Sequence, residues 1–342
     1  MSEPAKKLDL ARAMINLYPE GGNRTLAKAL RDKYPTVFAS IEDARVSVRK
    51  ARGAYGNLAR KTCKPLTYTE QAMSQLSREL ACQEAGIPDE TEKPLLPFDI
   101  GTGDDWLGIA DLHIPQHSKM AIETAIDFGK KEGCKNVLIN GDAVEFSKTS
   151  RFAHDPSDTD IYGEIKALTQ FLKYLRGKYR GRIIYKAGNH SANLLRHVWQ
   201  QAPALASLPC LRFEELLGLA NYGIEYVDQR VTMTMGKLVW IHGHEYKGGS
   251  PVYPAQWLLR KARTCAVTAH FHRSDTARGK TALDAIISCW SMGCLRSPSP
   301  DWSTKNEWNW GFCRCNSHKD GNFEFRNMAI LSRGDVCHVV PA

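Results

Sequence analysis

Short polar clusters rich in Asp, Asn and His recur along this chain, each directly after an apolar run. Together they supply two carboxylates, one amide and several imidazoles. This is about the ligand inventory of two adjacent divalent metal ions that share one carboxylate. One such cluster is weak evidence, but five within 162 residues predict a two-metal hydrolase. The clusters are Asp111–His113, Gly141–Glu145, Gly188–His190, His242–His244 and His270–His272.

The ligand types indicate chemistry on phosphate esters. A phosphate ester is anionic and therefore repels an attacking nucleophile. Two metals roughly 3.5–4 Å apart can hold a bridging hydroxide at neutral pH and clamp the phosphoryl oxygens. Mixed imidazole and carboxylate ligands suit manganese, iron, zinc or nickel better than calcium. We expect two divalent metal ions, with manganese as the leading choice.

The clusters follow segments that alternate between strand-like and helix-like patterns. Helices are predicted over about 118–132, 160–178, 191–206 and 254–262, and a hairpin turn at Met235–Lys237. This alternation predicts a layered α/β core, in which ligands bind beyond the carboxyl ends of the strands. The predicted strands that end in clusters are Trp106–Ala110, Val137–Ile139, Ile183–Tyr185, Leu238–Ile241 and Cys265–Val267.

The order of the clusters resembles the calcineurin-like metallophosphoesterase superfamily, whose pattern is DxH, GDxx(D/E), GNH(D/E), a later H, and GHxH. The resemblance covers about residues 104–330. It implies an α/β fold of two packed mixed β-sheets flanked by helices, a four-layer core. It also implies that His190 stands uncoordinated over the reacting phosphate, and that Asp142 bridges both metals. An imidazole in that position can donate a proton to the leaving alkoxide or stabilise the charge developing on it. The remaining implied ligands are Asp111, His113 and His272 for one metal, and Asn189, His242 and His270 for the other.

One departure from the family pattern concerns the candidate acid. Ser191 follows His190, where the family usually has an acidic residue. Glu145 or another acid could orient His190 instead. Glu145 is interpreted as an orienting residue rather than a ligand, since outer groups fix the rings of metal-binding histidines.

Two histidines near the clusters have open roles. His244 could replace His242 as a ligand, orient a ligand, or lie on the surface, and the resemblance favours His242. His154 could contact substrate. His117 and His197 are interpreted as ordinary side chains rather than ligands.

The positive charge of the chain is concentrated at its N-terminus. The formal net charge is +9, and residues 1–64 alone carry +8. Such asymmetry predicts an appended module that meets a polyanion. We divide the chain into a basic helical module over 1–64, a connector over 65–100, and a metallophosphoesterase domain over 101–342.

The sequence of the basic module predicts helices and no strands. Asp9 is predicted to cap a helix over Leu10–Tyr18, a second helix fits Thr25–Lys33, and a third begins with the capping pattern at Ser40. A short helix, a turn and an arginine-faced helix resemble a helix-turn-helix. The alternative is a small bundle with a solvated basic face. The third helix places Ile41, Ala44, Val48, Ala51 and Tyr55 on an apolar face and the candidate nucleic-acid contacts Arg45, Arg49, Lys50 and Arg52 beside it.

Composition excludes several classes. No apolar run approaches the roughly 18 residues that span a bilayer, and the N-terminus lacks the apolar region of a secretory signal. We expect a cytoplasmic protein without membrane association. None of the ten cysteines forms a CxxC pair. Cys313 and Cys315 with His318 could be part of a zinc site, but reduced, ordinary cysteines are favoured.

A tryptophan-rich segment follows the last cluster. Trp302, Trp308 and Trp310 lie near Arg296 and Lys305. Aromatic and cationic side chains together can stack bases and hold a nucleic-acid backbone. The favoured alternative is a cap on the core, because tryptophans mostly bury surface.

The leading hypothesis is a metal-dependent phosphodiesterase or nuclease that acts on DNA. The second keeps the enzyme and changes the substrate to phosphomonoesters, cyclic nucleotides or phosphoproteins. The third is a DNA-binding adaptor whose metal site is only structural, against which the intact ligand set argues.

Overall fold

The computed structural model describes residues 3–54, 95–150, 157–248, 251–297, 300, 305–334 and 336–342, with side chains from Lys6 onward. Its contacts divide the chain into two compact units, Met1–Lys93 and Pro94–Ala342. His154, Trp302, Tyr55 and most of the predicted connector lie outside the described residues.

The described part of the first unit, residues 3–54, contains three helices: α1 (Glu3–Leu17), α2 (Asn23–Lys33) and α3 (Ile41–Ala51). The predicted start of α3 is correct, because Ser40 Oγ accepts from the Asp43 N–H at 3.1 Å. The helices pack on the apolar side chains Leu10, Met14, Leu26, Leu30, Phe38 and Val48.

Two details of this unit differ from the prediction. Asp9 is not a helix cap, because α1 begins six residues earlier at Glu3. Pro4 suits the first helical turn, where a missing N–H costs nothing. Ile41 was predicted on the apolar face of α3 but is 42% exposed, because it stands at the first helical position, outside the contact with α2.

The second unit contains two mixed β-sheets. The larger has the strand order β13-β12-β11-β2-β3-β4-β5, and its strands β2 to β5 are parallel. The smaller has the order β1-β6-β7-β8-β10-β9. The strands are β1 Phe98–Asp99, β2 Asp105–Ile109, β3 Asn136–Asn140, β4 Ile183–Lys186, β5 Ile224–Val227, β6 Met233–Met235, β7 Leu238–Trp240, β8 Ala266–Thr268, β9 Asp275–Lys280, β10 Ile286–Ser291, β11 Gly311–Ser317, β12 Phe323–Arg333 and β13 Val336–Pro341.

Helices flank both sheets. The α-helices are α4 Lys119–Lys131, α5 Ile161–Lys178, α6 Ser191–Gln201, α7 Phe213–Leu216 and α8 Pro254–Ala262. Four of the five were predicted to within a few residues. The predicted hairpin at Met235–Lys237 is also present, as β6 pairs antiparallel with β7.

The apolar cores give the order of the layers. Trp106 and Ile184 of the larger sheet pack against Trp240 and Val267 of the smaller. The opposite face of the larger sheet packs against α4 and α5. On the far side of the smaller sheet, Leu258 of α8 packs against its strands. The predicted arrangement of two packed mixed sheets between helices is therefore confirmed.

This architecture brings the strand ends together. In the larger sheet, β2, β3 and β4 are adjacent and parallel, as are β7 and β8 in the smaller. Each of the five clusters begins within two residues of the carboxyl end of one of these strands. Within the described ranges, no helix has the length and hydropathy needed to cross a bilayer.

Candidate metal centre

The five clusters converge on one buried centre. Within the described part of the chain, ligand atoms lying within 4.8 Å of one another form two triads of carboxylate and imidazole groups. A third group joins His113, Glu145 and His190. The first triad is Asp111, His113 and His272, and the second is Asp142, His242 and His270.

Asp111 lies between the two triads. Its Oδ1 is 3.5 Å from His272 Nε2, 3.9 Å from His113 Nε2 and 3.8 Å from His242 Nε2. Its Oδ2 accepts the main-chain N–H of His270 at 2.9 Å. This carboxylate is fixed by one oxygen and presents the other to imidazoles from both triads.

Asp142 is held in a similar way. Its Oδ1 accepts the His190 N–H at 3.0 Å, and its Oδ2 lies 2.9 Å from His242 Nε2. The same oxygen is 4.0 Å from His270 Nδ1 and 4.0 Å from His190 Nε2. The carbonyl of Asn140 lies 2.8 Å from the other nitrogen of His242, and this contact fixes the ring.

Two glycines make these approaches possible. A Cβ at Gly141 would lie 2.1 Å from His242 Nδ1, and a Cβ at Gly188 would lie 2.1 Å from Asp142 Oδ1. Any side chain at either position would displace a candidate ligand. The glycines of the GD and GNH clusters are therefore needed for space.

The backbone of the clusters is strained. Asp111, His113, Asp142, His270 and His272 all have positive φ, between 45° and 67°. This left-handed region disfavours residues with a side chain, and such strain concentrates at functional sites.

The donor atoms fit divalent cations. Among the described residues, Asp111 Oδ1 and Asn189 Oδ1 are buried and lack a hydrogen-bond partner. Unpaired buried polar atoms are costly, and a cation would satisfy both. His113 Nε2 and His272 Nε2 also face each other at 3.1 Å, a geometry in which both could turn lone pairs toward one ion.

The electrostatics of His113 and His270 support ligand roles. Burial lowers the pKa of His113 and of His270 to about 4, so both imidazoles keep a lone pair at neutral pH. Burial also acts to lower the pKa of His242, but the Asp142 carboxylate outweighs it and raises the pKa to about 9. The His242 contact favours the ionised form of Asp142, whose pKa is well below its ordinary value despite burial.

Glu145 orients two histidines through different atoms. Its carboxylate Oε2 contacts His113 Nδ1, and its main-chain carbonyl lies 2.7 Å from His190 Nδ1. That carbonyl holds the His190 ring although Ser191 replaces the usual acid. With Nδ1–H donated to the carbonyl, His190 Nε2 points toward Asp142.

His244 lies outside both triads. Its ring is 5.4 Å from the His242 ring, and its Nδ1 is 3.6 Å from Glu245 Oε2. His242 is fully buried and makes the Asp142 contact. The geometry favours His242 over His244 as the ligand.

A buried ion pair that the sequence reading missed supports the His242 loop. Lys186 is fully buried, and its Nζ lies 2.9 Å from Glu245 Oε1. Glu245 in turn accepts the main-chain N–H groups of His242 and Gly243. The remaining Lys186 donors reach two main-chain carbonyls. The sequence feature that could have predicted this pair is a lysine at the end of an otherwise apolar strand.

Replacing Lys186 with methionine is expected to lower the free energy of unfolding by about 3–5 kcal/mol, because Glu245 would keep a buried charge without its partner. Chemical denaturation of the chelator-treated protein measures this change. The double variant Lys186→Met/Glu245→Gln should recover part of the loss. A loss below about 1 kcal/mol for the single variant would contradict the role of this pair.

The tryptophan-rich segment packs beside the first triad. The Trp308 ring lies 4.3 Å from the His272 ring, and the Arg296 guanidinium lies 5.4 Å from Trp308. The Trp310 indole N–H donates to the Arg296 carbonyl at 2.9 Å. Trp308 therefore packs against the centre, whereas Trp310 packs against the apolar core of the larger sheet. Cys313 and Cys315 are buried in the core between the sheets, as ordinary reduced cysteines would be.

Comparison with known proteins gives distant relatives. No family model matches the chain. Gene 54 protein of Mycobacterium phage L5 is 24% identical over 176 residues, which cover 48% of this chain and 68% of that protein.

Solved structures with a similar fold include vacuolar protein sorting 29 from Cryptosporidium parvum, with 12% identity, a TM-score of 0.39 and coverage of 70% of this chain and 97% of that one. A dimetal phosphatase from Danio rerio is 12% identical, with a TM-score of 0.36 over 70% and 99% of the two chains. The nuclease MPE from Pseudomonas putida is 12% identical, with a TM-score of 0.30 over 69% and 87%.

Proposed function

We propose that the chain is a two-metal phosphoesterase, and specifically a phosphodiesterase or nuclease that acts on DNA. The observation that carries the metal-dependent part of this proposal is the pair of adjacent triads at the strand ends, in which the unpaired Asp111 Oδ1 of the first triad also faces His242 of the second. Asp111, His113 and His272 would hold one ion. Asn189, His242 and His270 would hold the other, and Asp142 would be shared.

When bound, two divalent ions activate the attacking water and neutralise charge on the phosphoryl oxygens. The protein supplies the positions. Asp111 and Asp142 are each fixed by a main-chain N–H, so neither carboxylate has to reorient when substrate arrives. Such preorganisation is a major source of catalysis.

His190 is the proposed general acid. Its side chain is 24% exposed, so one edge of the ring is open to a substrate. Asp142 and Glu145 raise its pKa against the opposing effect of burial, which keeps the proton available near neutral pH. The Glu145 carbonyl fixes the ring so that Nε2 can give that proton to the leaving oxygen.

DNA is the proposed substrate because the helical unit carries the excess positive charge. Lys50 is exposed on α3, and Arg45 lies five residues earlier, near Glu42 at 3.2 Å. Arg49, between them in sequence, is half-buried. Arg52 has a different role, because it donates to Asn23 and to the Gly21 carbonyl, each at 2.6 Å. It joins α3 to the turn before α2 and is the least suited of the four to contact DNA.

One substrate panel tests this proposal. The manganese-supplemented protein is incubated with plasmid DNA, single-stranded DNA, a cyclic nucleotide, and chromogenic mono- and diesters. Cleavage of DNA and of the diester supports a nuclease. Turnover of monoesters or cyclic nucleotides alone would favour the second hypothesis, a small-molecule phosphatase or phosphodiesterase. Metal binding without any turnover would favour a DNA-binding adaptor with a structural metal site.

The double variant Arg45→Glu/Lys50→Glu is expected to weaken DNA binding about tenfold or more at moderate salt. The slope of log K against log salt should fall by roughly two, since each lost phosphate contact contributes about 0.9. Fluorescence anisotropy at several salt concentrations measures both quantities.

A matched control for this variant is Lys280→Glu, which reverses an exposed lysine on β9 in the other unit. Its binding should stay close to that of the unchanged protein. An unaltered salt slope in the double variant would remove α3 from the DNA-binding surface.

A further inference from the structure

Arg296 is a buried arginine beside the candidate metal centre. It is 3% exposed and lies in the loop after β10. Its Nη1 is 3.4 Å from Glu145 Oε2, and its Nη2 donates to Oε1 of Gln116. Arginines are almost never buried without a partner, so these two contacts account for its position.

The Glu145 contact connects Arg296 to a candidate ligand. The same Oε2 contacts His113 Nδ1, while His113 Nε2 faces His272 and the Asp111 carboxylate. A chain of three charged or polar groups therefore runs from the guanidinium to the nitrogen that would bind metal.

Main-chain contacts tie Arg296 to the same loop that carries His113. Gln116 donates its N–H to the His113 carbonyl at 2.6 Å, and the Ser297 N–H donates to the Gln116 carbonyl at 2.9 Å. These bonds hold the backbone beside Arg296 against the loop that carries His113. The guanidinium is therefore fixed relative to Glu145.

We propose that Arg296 is a positioning residue for the first metal, acting through Glu145 on His113. This inference rests on the proposed metal centre. The guanidinium holds the Glu145 carboxylate in the orientation in which it accepts the His113 Nδ1–H, and that hydrogen bond leaves the Nε2 lone pair directed at the ion. Outer groups of this kind typically change metal affinity by about 10–100-fold.

The test is a manganese titration of the full-length, chelator-treated protein, followed by calorimetry and by electron paramagnetic resonance. Arg296→Met should weaken one manganese site about tenfold. Arg296→Lys, which keeps the charge but not the two-pronged geometry, should lose less. In a Glu145→Gln background, Arg296→Met should weaken manganese binding by less than about a further twofold. The reason is that Glu145, through which Arg296 acts, has already been changed.

The control is Arg314→Met. Arg314 is a partly buried arginine in the same unit, and it pairs with Asp105 at 2.8 Å and Glu132 at 3.3 Å, away from both triads. Its loss should lower the stability of the fold and leave manganese affinity unchanged. The control therefore shows whether lower stability alone weakens manganese binding.

The outcomes distinguish the role of Arg296 from the existence of the metal centre. If folded Arg296→Met binds manganese like the unchanged protein, the role of Arg296 is overturned while the metal centre stands. If that variant does not fold, Arg296→Lys decides: weaker binding supports the role and unchanged binding overturns it. If the unchanged protein binds no manganese, cobalt or zinc, the metal centre is overturned and this inference with it.

Discussion

Replacing Asp142 with asparagine is expected to reduce phosphate ester hydrolysis about a thousandfold or more, equivalent to roughly 4 kcal/mol of transition-state stabilisation. Asp142 contacts His242 and lies near His190 and His270, so it serves both the second triad and the candidate acid. Asparagine keeps the shape and removes the charge. Metal content and kcat/KM measured on the same preparation check the effect.

The fold should survive this change. Asp142 follows β3, whose five residues are all buried, and asparagine can still accept the His190 N–H. The matched control is Asp105→Asn, which neutralises a carboxylate paired with Arg314 at the other end of the sheet. Full activity in Asp142→Asn would show that the proposed ligand set is wrong.

Replacing His190 with alanine is expected to lower kcat by about 10²–10⁴, the range of a lost general acid, with metal content retained. His190 reaches the centre through Nε2 while its Nδ1 is held by the Glu145 carbonyl. Of the eight residues predicted for the centre, only His190 is not assigned as a metal ligand by the resemblance.

The leaving group provides the decisive comparison. A nitrophenolate leaves without protonation, whereas an alkoxide needs a proton. The loss in His190→Ala should therefore be much smaller for a nitrophenyl diester than for a DNA linkage. His197→Ala, an exposed histidine two turns later on α6, is the control. Equal losses for both substrates would assign His190 a role other than proton donation.

The sequence predicted the strands that carry the centre, because strand positions follow local patterns of apolar and polar residues. Apolar runs bounded by polar clusters predicted the strands β2, β3, β4, β7 and β8. The side-chain triads then follow from topology, since the carboxyl ends of adjacent parallel strands lie at one edge of each sheet and the two sheets pack together.

The supporting contacts could not be predicted in the same way. Arg296 meets Glu145 across 151 residues of sequence, and Lys186 at the end of β4 meets Glu245 in the loop after β7. No periodicity relates such partners, because they depend on how loops pack in three dimensions. The orienting group for His190 was likewise predicted as an acidic side chain, but it is the main-chain carbonyl of Glu145, which any residue could supply.

Each triad takes residues from both sheets, and this also affects how the protein folds. His113 and His272 face each other although 159 residues separate them, so the centre exists only after both sheets have formed and docked. Contacts of such long range carry a large loop-closure entropy and form late. A divalent ion that binds only the docked state would act as a reversible cross-link between the sheets, and its affinity would add directly to the stability of the native state. Metal capture during refolding would then report the final assembly of the domain.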